Sequence, residues 1–159
     1  MIIYLHGFRS APASIKARAL KARMLERGLA ERFWCEQLPV SPRAAIALAE
    51  TEIARIRAAG LEPTVVGSSL GGYYATWLAE RHDLRAVLIN PAVVAPLSLE
   101  AYVGVQDNLY TGERFEFTRG HIDELRAIEV PTITRPERFW LLVETGDEVL
   151  DYRHAVEKY

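Results

Sequence analysis

The stretch that decides the fold is TVVGSSLGGYYATW, residues 64–77. Its first three residues predict a short buried strand, and the residues from Leu70 onward predict a helix. Between them, Gly67-Ser68-Ser69-Leu70-Gly71 matches the pattern G-x-S-x-G. In a sharp strand-to-helix turn, this pattern holds the middle serine at a strained backbone position, with its hydroxyl exposed at the N-terminus of the helix. The sequence therefore predicts that Ser69 is a nucleophile.

The same pattern has an alternative interpretation, a glycine-rich turn between strand and helix that has no catalytic role. Two phosphate-binding interpretations are excluded. The chain has no G-x-G-x-x-G, which a dinucleotide-binding turn needs, and no Gly-Lys-Ser or Gly-Lys-Thr, which a P-loop needs.

The rest of the chain alternates short apolar runs with amphipathic runs of helical period. Strands are predicted at 2–6, 33–38, 64–66, 86–89 and 139–144, and helices at 14–27, 41–59, 70–81 and 150–159. This alternation predicts a single α/β domain over residues 1–159 with a mostly parallel sheet. Residues 92–136 are rich in proline and glycine, and predict an irregular insertion with one or two short helices.

Two of the predicted helices have specific sequence signals. In the first, the spacing of four apolar residues predicts one buried face: Ile15, Ala19, Leu20 and Met24. In the second, Ser41 followed by Pro42 predicts an N-cap with proline in the first helical position.

Composition excludes several function classes. The chain has 159 residues with 19 basic and 21 acidic side chains, a net charge of −2, which gives no electrostatic reason to expect nucleic acid as a partner. A single cysteine, Cys35, excludes a disulfide framework and a cysteine-based zinc site, and we expect no metal or cofactor. No apolar run is long enough to span a membrane. We therefore expect a cytoplasmic protein without a membrane partner.

A nucleophilic serine needs an oxyanion hole and an acid–base pair. The N–H of Leu70 is the first predicted oxyanion donor, and the N–H of Phe8, in the loop after the first strand, is the second. Asp147 follows the strand at 139–144 and is the predicted acid that orients a histidine. A turn aspartate or helix N-cap is the alternative interpretation of Asp147, and Asp151 is a second candidate for the acid.

Five blocks of the chain resemble the YqiA-like bacterial esterases of the α/β-hydrolase superfamily. They are LHGF at 5–8, VGSSLGGYYATW at 66–77, NPA at 90–92, YTG at 110–112 and TGDEVLDYR at 145–153. The resemblance implies a three-layer α/β-hydrolase sandwich, Ser69 as nucleophile, Asp147 as acid, and residues 92–136 as a lid. It also implies a small-molecule acyl ester or thioester substrate, for instance an acyl-CoA.

The resemblance further implies a histidine after one more strand, and no residue up to Tyr159 occupies that place. His82, His121 and His154 are poorly placed to be the base, and His6 is predicted to be a structural histidine bonded to the backbone. The strand at 139–144 would lie at a sheet edge although its centre is apolar. We therefore expect that the last strand and helix of the fold are absent and that the sequence is a fragment. The alternatives are a non-catalytic acyl-ligand-binding protein and a chain completed by a partner.

Overall fold

The computed structural model describes residues 1–146 and 150–159. The strands are β1 (Ile2–Leu5), β2 (Phe33–Trp34), β3 (Thr64–Ser68), β4 (Arg85–Ile89), β5 (Gly104–Asp107), β6 (Arg114–Phe117) and β7 (Phe139–Leu142). The helices are α1 (Ile15–Glu26), α2 (Pro42–Ala58), α3 (Leu70–His82), α4 (Ala95–Ser98), α5 (Arg119–Ala127) and α6 (Tyr152–Lys158).

Five of the strands form a parallel sheet in the order β2-β1-β3-β4-β7. The strand order places β3, which leads into Ser69, at the centre, and β7 at one edge of the sheet as described. The carboxyl ends of parallel strands meet at one edge, where ligands bind in such sheets. The predicted mostly parallel α/β sheet is confirmed.

The sheet separates two layers of helices. Leu5, Val65 and Leu88 belong to the larger core, which also contains the buried faces of α2 and α3. Tyr4 and Val66 point to the opposite face and pack with α1. Because neighbouring residues of a strand point to opposite faces, this alternation produces a three-layer arrangement.

The start of α2 matches the prediction from its sequence. Ser41 is the N-cap, and its hydroxyl accepts a hydrogen bond from the N–H of Ala44 at 3.2 Å. The helix buries Ile46, Ile53 and Ile56 against the sheet. The capping signal and the apolar spacing therefore both predicted this helix correctly.

The buried face predicted for α1 is correct only in part. Met24 is buried and Leu20 packs against the core, as predicted, but Ile15 is 76% exposed, Ala19 is also exposed, and the buried Ala17 was not predicted. The helix packs closely on Tyr4 and Val66 through the small side chain of Ala17. An alanine contributes little to an apolar pattern, so the spacing of the larger side chains assigned Ile15 to the buried face and missed Ala17.

The second strand is shorter than predicted because its continuation bonds to a side chain. The N–H of Leu38 donates to Nε2 of His6 at 3.0 Å, and Nε2 of Gln37 donates to the carbonyl of Ser10 at 3.2 Å. Regular pairing therefore ends at Trp34.

Residues 92–136 contain more regular structure than the sequence analysis predicted. The expected helix is present as α5, but β5 and β6 form an antiparallel hairpin that the prediction missed. The hydroxyl of Tyr73 on α3 donates to the carbonyl of Leu125 on α5 at 3.0 Å, which ties this segment to the domain. No helix of the described residues is long and apolar enough to cross a membrane.

Candidate active site

Ser69 lies in a sharp turn between β3 and α3. Its backbone has φ 53° and ψ −120°, a conformation that residues with a Cβ rarely adopt. The turn is held by the Ser69 N–H, which donates to the carbonyl of Ile89 at 3.1 Å. The carbonyl of Ser69 accepts from Gly72 at 2.9 Å and from Ala92 at 3.1 Å. Strain of this kind persists only when surrounding bonds enforce it, and it is concentrated at functional sites.

The glycines around Ser69 allow backbones to touch. A Cβ on Gly67 would overlap the carbonyl oxygen of Gly71, and a Cβ on Gly71 would overlap the carbonyl oxygen of Leu5. Any larger residue at either position would push α3 away from β1 and β3. The glycine positions of the motif therefore bring the start of α3 against the loop that follows β1.

That loop lies directly beside Ser69. A Cβ built on Gly7 would lie 3.2 Å from Cβ of Ser69 and 3.7 Å from its Oγ. Within the described residues, the N–H groups of Phe8 and Leu70 donate to no protein acceptor. The structure thus places the loop of Phe8 and the start of α3 on either side of Ser69, with donors available at the site.

The ring of Phe8 is fixed by aromatic side chains of residues 92–136. Its centroid lies 4.9 Å from Phe117, 5.7 Å from Tyr102 and 5.9 Å from Phe115, all in edge-on geometry. Edge-on pairs at these separations are favourable beyond the area they bury. The aromatic cluster therefore restrains the residue whose N–H is the second predicted oxyanion donor.

His6 is a structural residue, as predicted. It is 3% exposed, and its Nε2 accepts the N–H of Leu38 at 3.0 Å. Its Nδ1 therefore carries the proton and donates to the carbonyl of Gly7 at 3.0 Å. Burial lowers the pKa of His6, so the ring is held neutral. Both nitrogens are engaged with backbone groups and serve to shape the loop.

Asn108 is a residue of this site that sequence reasoning missed. It is 7% exposed, and its Nδ2 donates to the carbonyl of Ser10 at 2.8 Å. Its Oδ1 accepts the N–H groups of Tyr110 and Thr111 at 2.9 and 3.1 Å. One side chain thus joins the loop after β1 to the hairpin turn. The signal in the sequence is an asparagine shortly before Thr111-Gly112, a turn composition.

A second connection joins the same two segments. The N–H of Leu109 donates to the carbonyl of Arg9, and Nε of Arg9 donates to the carbonyl of Asp107, each at 2.9 Å. The loop after β1 is therefore bonded to the hairpin through both backbone and side-chain groups.

The acid–base part of the site is described only in part. Asp147, the predicted acid, lies outside the described residues. Asp151, the second candidate, caps α6 through the N–H of Arg153 at 3.0 Å, and its carboxylate pairs with the Arg153 guanidinium, which lowers the pKa of Asp151 to about 2. Asp151 therefore has a structural partner.

No histidine ring within the described residues bonds to Ser69. His82 contacts Glu50 at 2.8 Å, and His121 accepts the N–H of Thr118 at the start of α5. His154 is exposed on α6.

Ser69 opens into a cleft of about 400 Å³, here called the Ser69 cleft. Its walls are the carboxyl end of β1, the loop after it, the start of α1 and the hairpin turn. The lining residues are Tyr4, Gly7, Phe8, Arg9, Ser10, Ser14, Ile15, Lys16, Ser68, Ser69, Leu109 and Tyr110. Burial raises the pKa of Tyr4 to about 12, so its hydroxyl stays neutral.

A second cavity, of about 240 Å³, lies on the other side of the same loop. Ser69 does not line it, but Phe8 and Leu70 do, together with Leu38, Tyr74 and Phe115. Both cavities are lined by Gly7, Phe8, Arg9 and Ser10, so they adjoin at the loop that carries one of the two predicted oxyanion donors. Within the described residues, no group of His, Cys, Asp and Glu side chains could hold a metal ion.

Residues 1–159 match the model of a family described as "Uncharacterised protein family (UPF0227)". The chain belongs to this family. UPF0227 is the family of YqiA-like esterases, so the resemblance read from the sequence is confirmed.

Solved structures with a similar fold are α/β-hydrolases and esterases. Monoacylglycerol lipase of Paleococcus ferrophilus has a TM-score of 0.65 at 14% identity, and the match covers 99% of this chain and 78% of that one. Mouse alpha/beta hydrolase domain-containing protein 10 has a TM-score of 0.64 at 18% identity, covering 98% and 73%. Est1E of Butyrivibrio proteoclasticus has a TM-score of 0.64 at 14% identity, covering 98% and 71%. At these identities the likeness shows the fold, which is the predicted α/β-hydrolase fold.

Proposed function

We propose that this UPF0227 protein is a serine hydrolase that cleaves acyl esters through an acyl-enzyme on Ser69. The observation that carries the proposal is the strained Ser69 turn, which opens into a cleft and lies beside the N–H groups of Phe8 and Leu70, neither of which has a protein acceptor among the described residues. The combination of φ 53° and ψ −120° at a serine supports a functional role, because strained non-glycine backbone is concentrated at functional sites.

The proposed reaction begins with attack of Ser69 Oγ on the acyl carbonyl carbon, while an imidazole takes the hydroxyl proton. The negative charge that develops on the carbonyl oxygen is stabilised by the N–H groups of Phe8 and Leu70, and by the N-terminus of α3. The bond to the leaving alcohol then breaks, and the imidazolium returns its proton to that alcohol. Water repeats the sequence on the acyl-enzyme and releases the acid. The same steps cleave an acyl thioester such as an acyl-CoA, with a thiol as the leaving group.

The imidazole of this proposal is not one of the four histidines. The rings of His6, His82 and His121 bond to other partners, and His154 is exposed on α6. We propose that the imidazole is supplied from outside these 159 residues, by further chain or by a partner, and that Asp147 orients it.

The test uses the protein as its own cell makes it. We expect turnover of short aryl esters, and Ser69→Ala lowers kcat by more than about a thousandfold. Ser98→Ala, which changes an exposed serine on α4, is the matched control and keeps full turnover. A fluorophosphonate probe adds its mass once to the wild type and to Ser98→Ala, and not to Ser69→Ala. Undiminished turnover in Ser69→Ala contradicts the proposal.

The second candidate is an acyl-ligand-binding protein that does not turn over its ligand. It is favoured by one observation, namely that no described histidine reaches Ser69. It predicts saturable binding of an acyl ligand without product, and no reaction of Ser69 with the probe.

A further inference from the structure

The N-cap residue of α1 does not cap the helix with its side chain. Ser14 occupies the N-cap position of α1, but its hydroxyl makes no capping hydrogen bond. The N-cap serine of α2, Ser41, makes that bond in the usual way, by accepting from Ala44. Ser14 nevertheless is only 7% exposed, a degree of burial at which a hydroxyl normally has a partner.

The free hydroxyl of Ser14 faces the Ser69 cleft. Within the described residues, every fully enclosed side-chain nitrogen or oxygen has a hydrogen-bond partner. Ser14 Oγ has none, so it is not fully enclosed, and the open space that Ser14 lines is the Ser69 cleft. A buried polar group directed into a cavity is a group with capacity to bind a ligand.

The backbone beside Ser14 offers donors of the same kind. Ile15 and Lys16 line the Ser69 cleft, and their N–H groups belong to the first turn of α1 and donate to no acceptor in the described residues. No acidic side chain lies in that first turn. The twelve-residue helix therefore directs its positive end at the cleft with no internal anion to neutralise it.

Among the described residues, the charged side chains that line the Ser69 cleft are all basic. Lys16 and Arg9 line it, and the described residues contribute no aspartate or glutamate to its walls. Neither cation takes part in an ion pair within the described part of the chain. By contrast, Arg55 and Arg126 on the surface are each paired with a carboxylate. Two cations with no carboxylate partner among the described residues, beside the proposed nucleophile, favour an anionic substrate.

We infer that the Ser69 cleft holds an oxyanion subsite, formed by the Ser14 hydroxyl, the first N–H groups of α1 and the side chains of Lys16 and Arg9. The subsite takes a carboxylate or phosphate group on the leaving alcohol of the substrate. The acyl chain then occupies the second cavity, which lies beside the same oxyanion donors and contains Leu38, Tyr74 and Phe115. This inference rests on the proposed function and names the substrate class, esters with an anionic leaving group.

The kinetic test compares acetate esters that differ in charge on the leaving group. The esters are 4-acetoxybenzoate, 4-acetoxyphenyl phosphate and the neutral methyl 4-acetoxybenzoate, and each kcat/KM is divided by the rate of hydroxide-catalysed hydrolysis. We expect at least one anionic ester to exceed the neutral ester by about tenfold in wild type. The preferred anion identifies the group that the subsite takes. No preference for either anion overturns the inference.

Two variants localise the preference. Lys16→Gln and Ser14→Ala each reduce this anionic-to-neutral ratio of kcat/KM by about three- to tenfold, because they weaken binding of the anionic group. Lys21→Gln makes the same charge change farther along α1, outside the cleft, and keeps the full preference. An equal effect of Lys16→Gln and Lys21→Gln contradicts the subsite. Phenyl hydrogen succinate carries its negative charge on the acyl group, and phenyl butyrate is its neutral counterpart. If the enzyme prefers the succinate ester but shows no preference among the acetates, the subsite binds the acyl side and its assignment to the leaving group is contradicted.

A binding measurement separates failure of the subsite from failure of the hydrolase proposal. About 10 mM inorganic phosphate raises the Tm of wild type relative to chloride at equal ionic strength, since a ligand of the folded state stabilises it. The rise is reduced in Ser14→Ala and in Lys16→Gln, and is kept in Lys21→Gln. Loss of Ser69-dependent turnover with this pattern intact refutes the hydrolase alone. A rise of equal size in all four proteins refutes the subsite.

Discussion

The strain at Ser69 predicts that two inactive variants differ in stability. Ser69→Ala keeps a Cβ at φ 53° and ψ −120°, whereas Ser69→Gly removes it. A non-glycine residue in such a region costs about 1–3 kcal/mol. Glycine loses more backbone entropy on folding, a cost of about 0.5–1 kcal/mol. We therefore expect Ser69→Gly to be more stable than Ser69→Ala by about 1 kcal/mol.

Urea unfolding measures this difference. With a slope of about 2 kcal/mol per molar urea, the midpoint of Ser69→Gly lies about 0.5 M above that of Ser69→Ala. In a domain of this size the melting temperature rises by about 2–4 °C.

The control is the same change, alanine to glycine, in an ordinary helical position. Ala47 is exposed within α2, and Ala47→Gly lowers stability by about 1 kcal/mol. The change from alanine to glycine is therefore expected to raise stability at position 69 and to lower it at position 47. A Ser69→Gly protein that unfolds at or below the urea midpoint of Ser69→Ala refutes the argument that the turn stores strain.

Two further predictions concern the loop after β1. Asn108→Ala removes the bond to the Ser10 carbonyl and two turn bonds, and we expect a loss of about 2–3 kcal/mol in urea unfolding together with a lower kcat on aryl esters. Asn108→Asp keeps the turn acceptor but places an acceptor oxygen against the Ser10 carbonyl, so it breaks the link to the loop while the turn bonds remain. An unchanged kcat in both variants contradicts a positioning role. Burial lowers the pKa of His6 in the folded protein. Below about pH 6.5 the unfolded chain therefore binds a proton that the folded chain does not. The free energy of unfolding consequently falls as the pH decreases toward the folded pKa, by at most about 1.4 kcal/mol per pH unit. His6→Gln removes this contribution, and urea midpoints at about pH 7.5 and 5.5 should differ less in that variant than in wild type; an equal pH dependence contradicts the assignment.

Elements with a strong local signal could be predicted from the sequence. The β-branched run before Gly67 and the cap at Ser41 gave the central strand and α2 close to their observed bounds. The glycines of the motif also predicted the sharp turn at Ser69, because their close backbone contacts leave no room for a Cβ. These features depend on neighbouring residues, and a sequence displays neighbours directly.

Features that depend on distant partners could not be predicted. The second strand stops early because the N–H of Leu38 bonds to His6, 32 residues away. The burial of Asn108 follows from its bond to Ser10, across 98 residues. No local composition indicates either bond, so both became evident only when the fold placed the partners together.

The distribution of hydrogen bonds around the loop after β1 bears on how the oxyanion donors are held. His6 fixes the loop from the side of β2, through Leu38, while Asn108 fixes it from the side of the hairpin, through Ser10. The loop is thus held between two segments, which together fix the position of the Phe8 N–H. Donors oriented in advance cost no reorganisation when charge develops on a carbonyl oxygen. In this proposal the hairpin is therefore part of the oxyanion support, in addition to the lid role that the resemblance implies for residues 92–136.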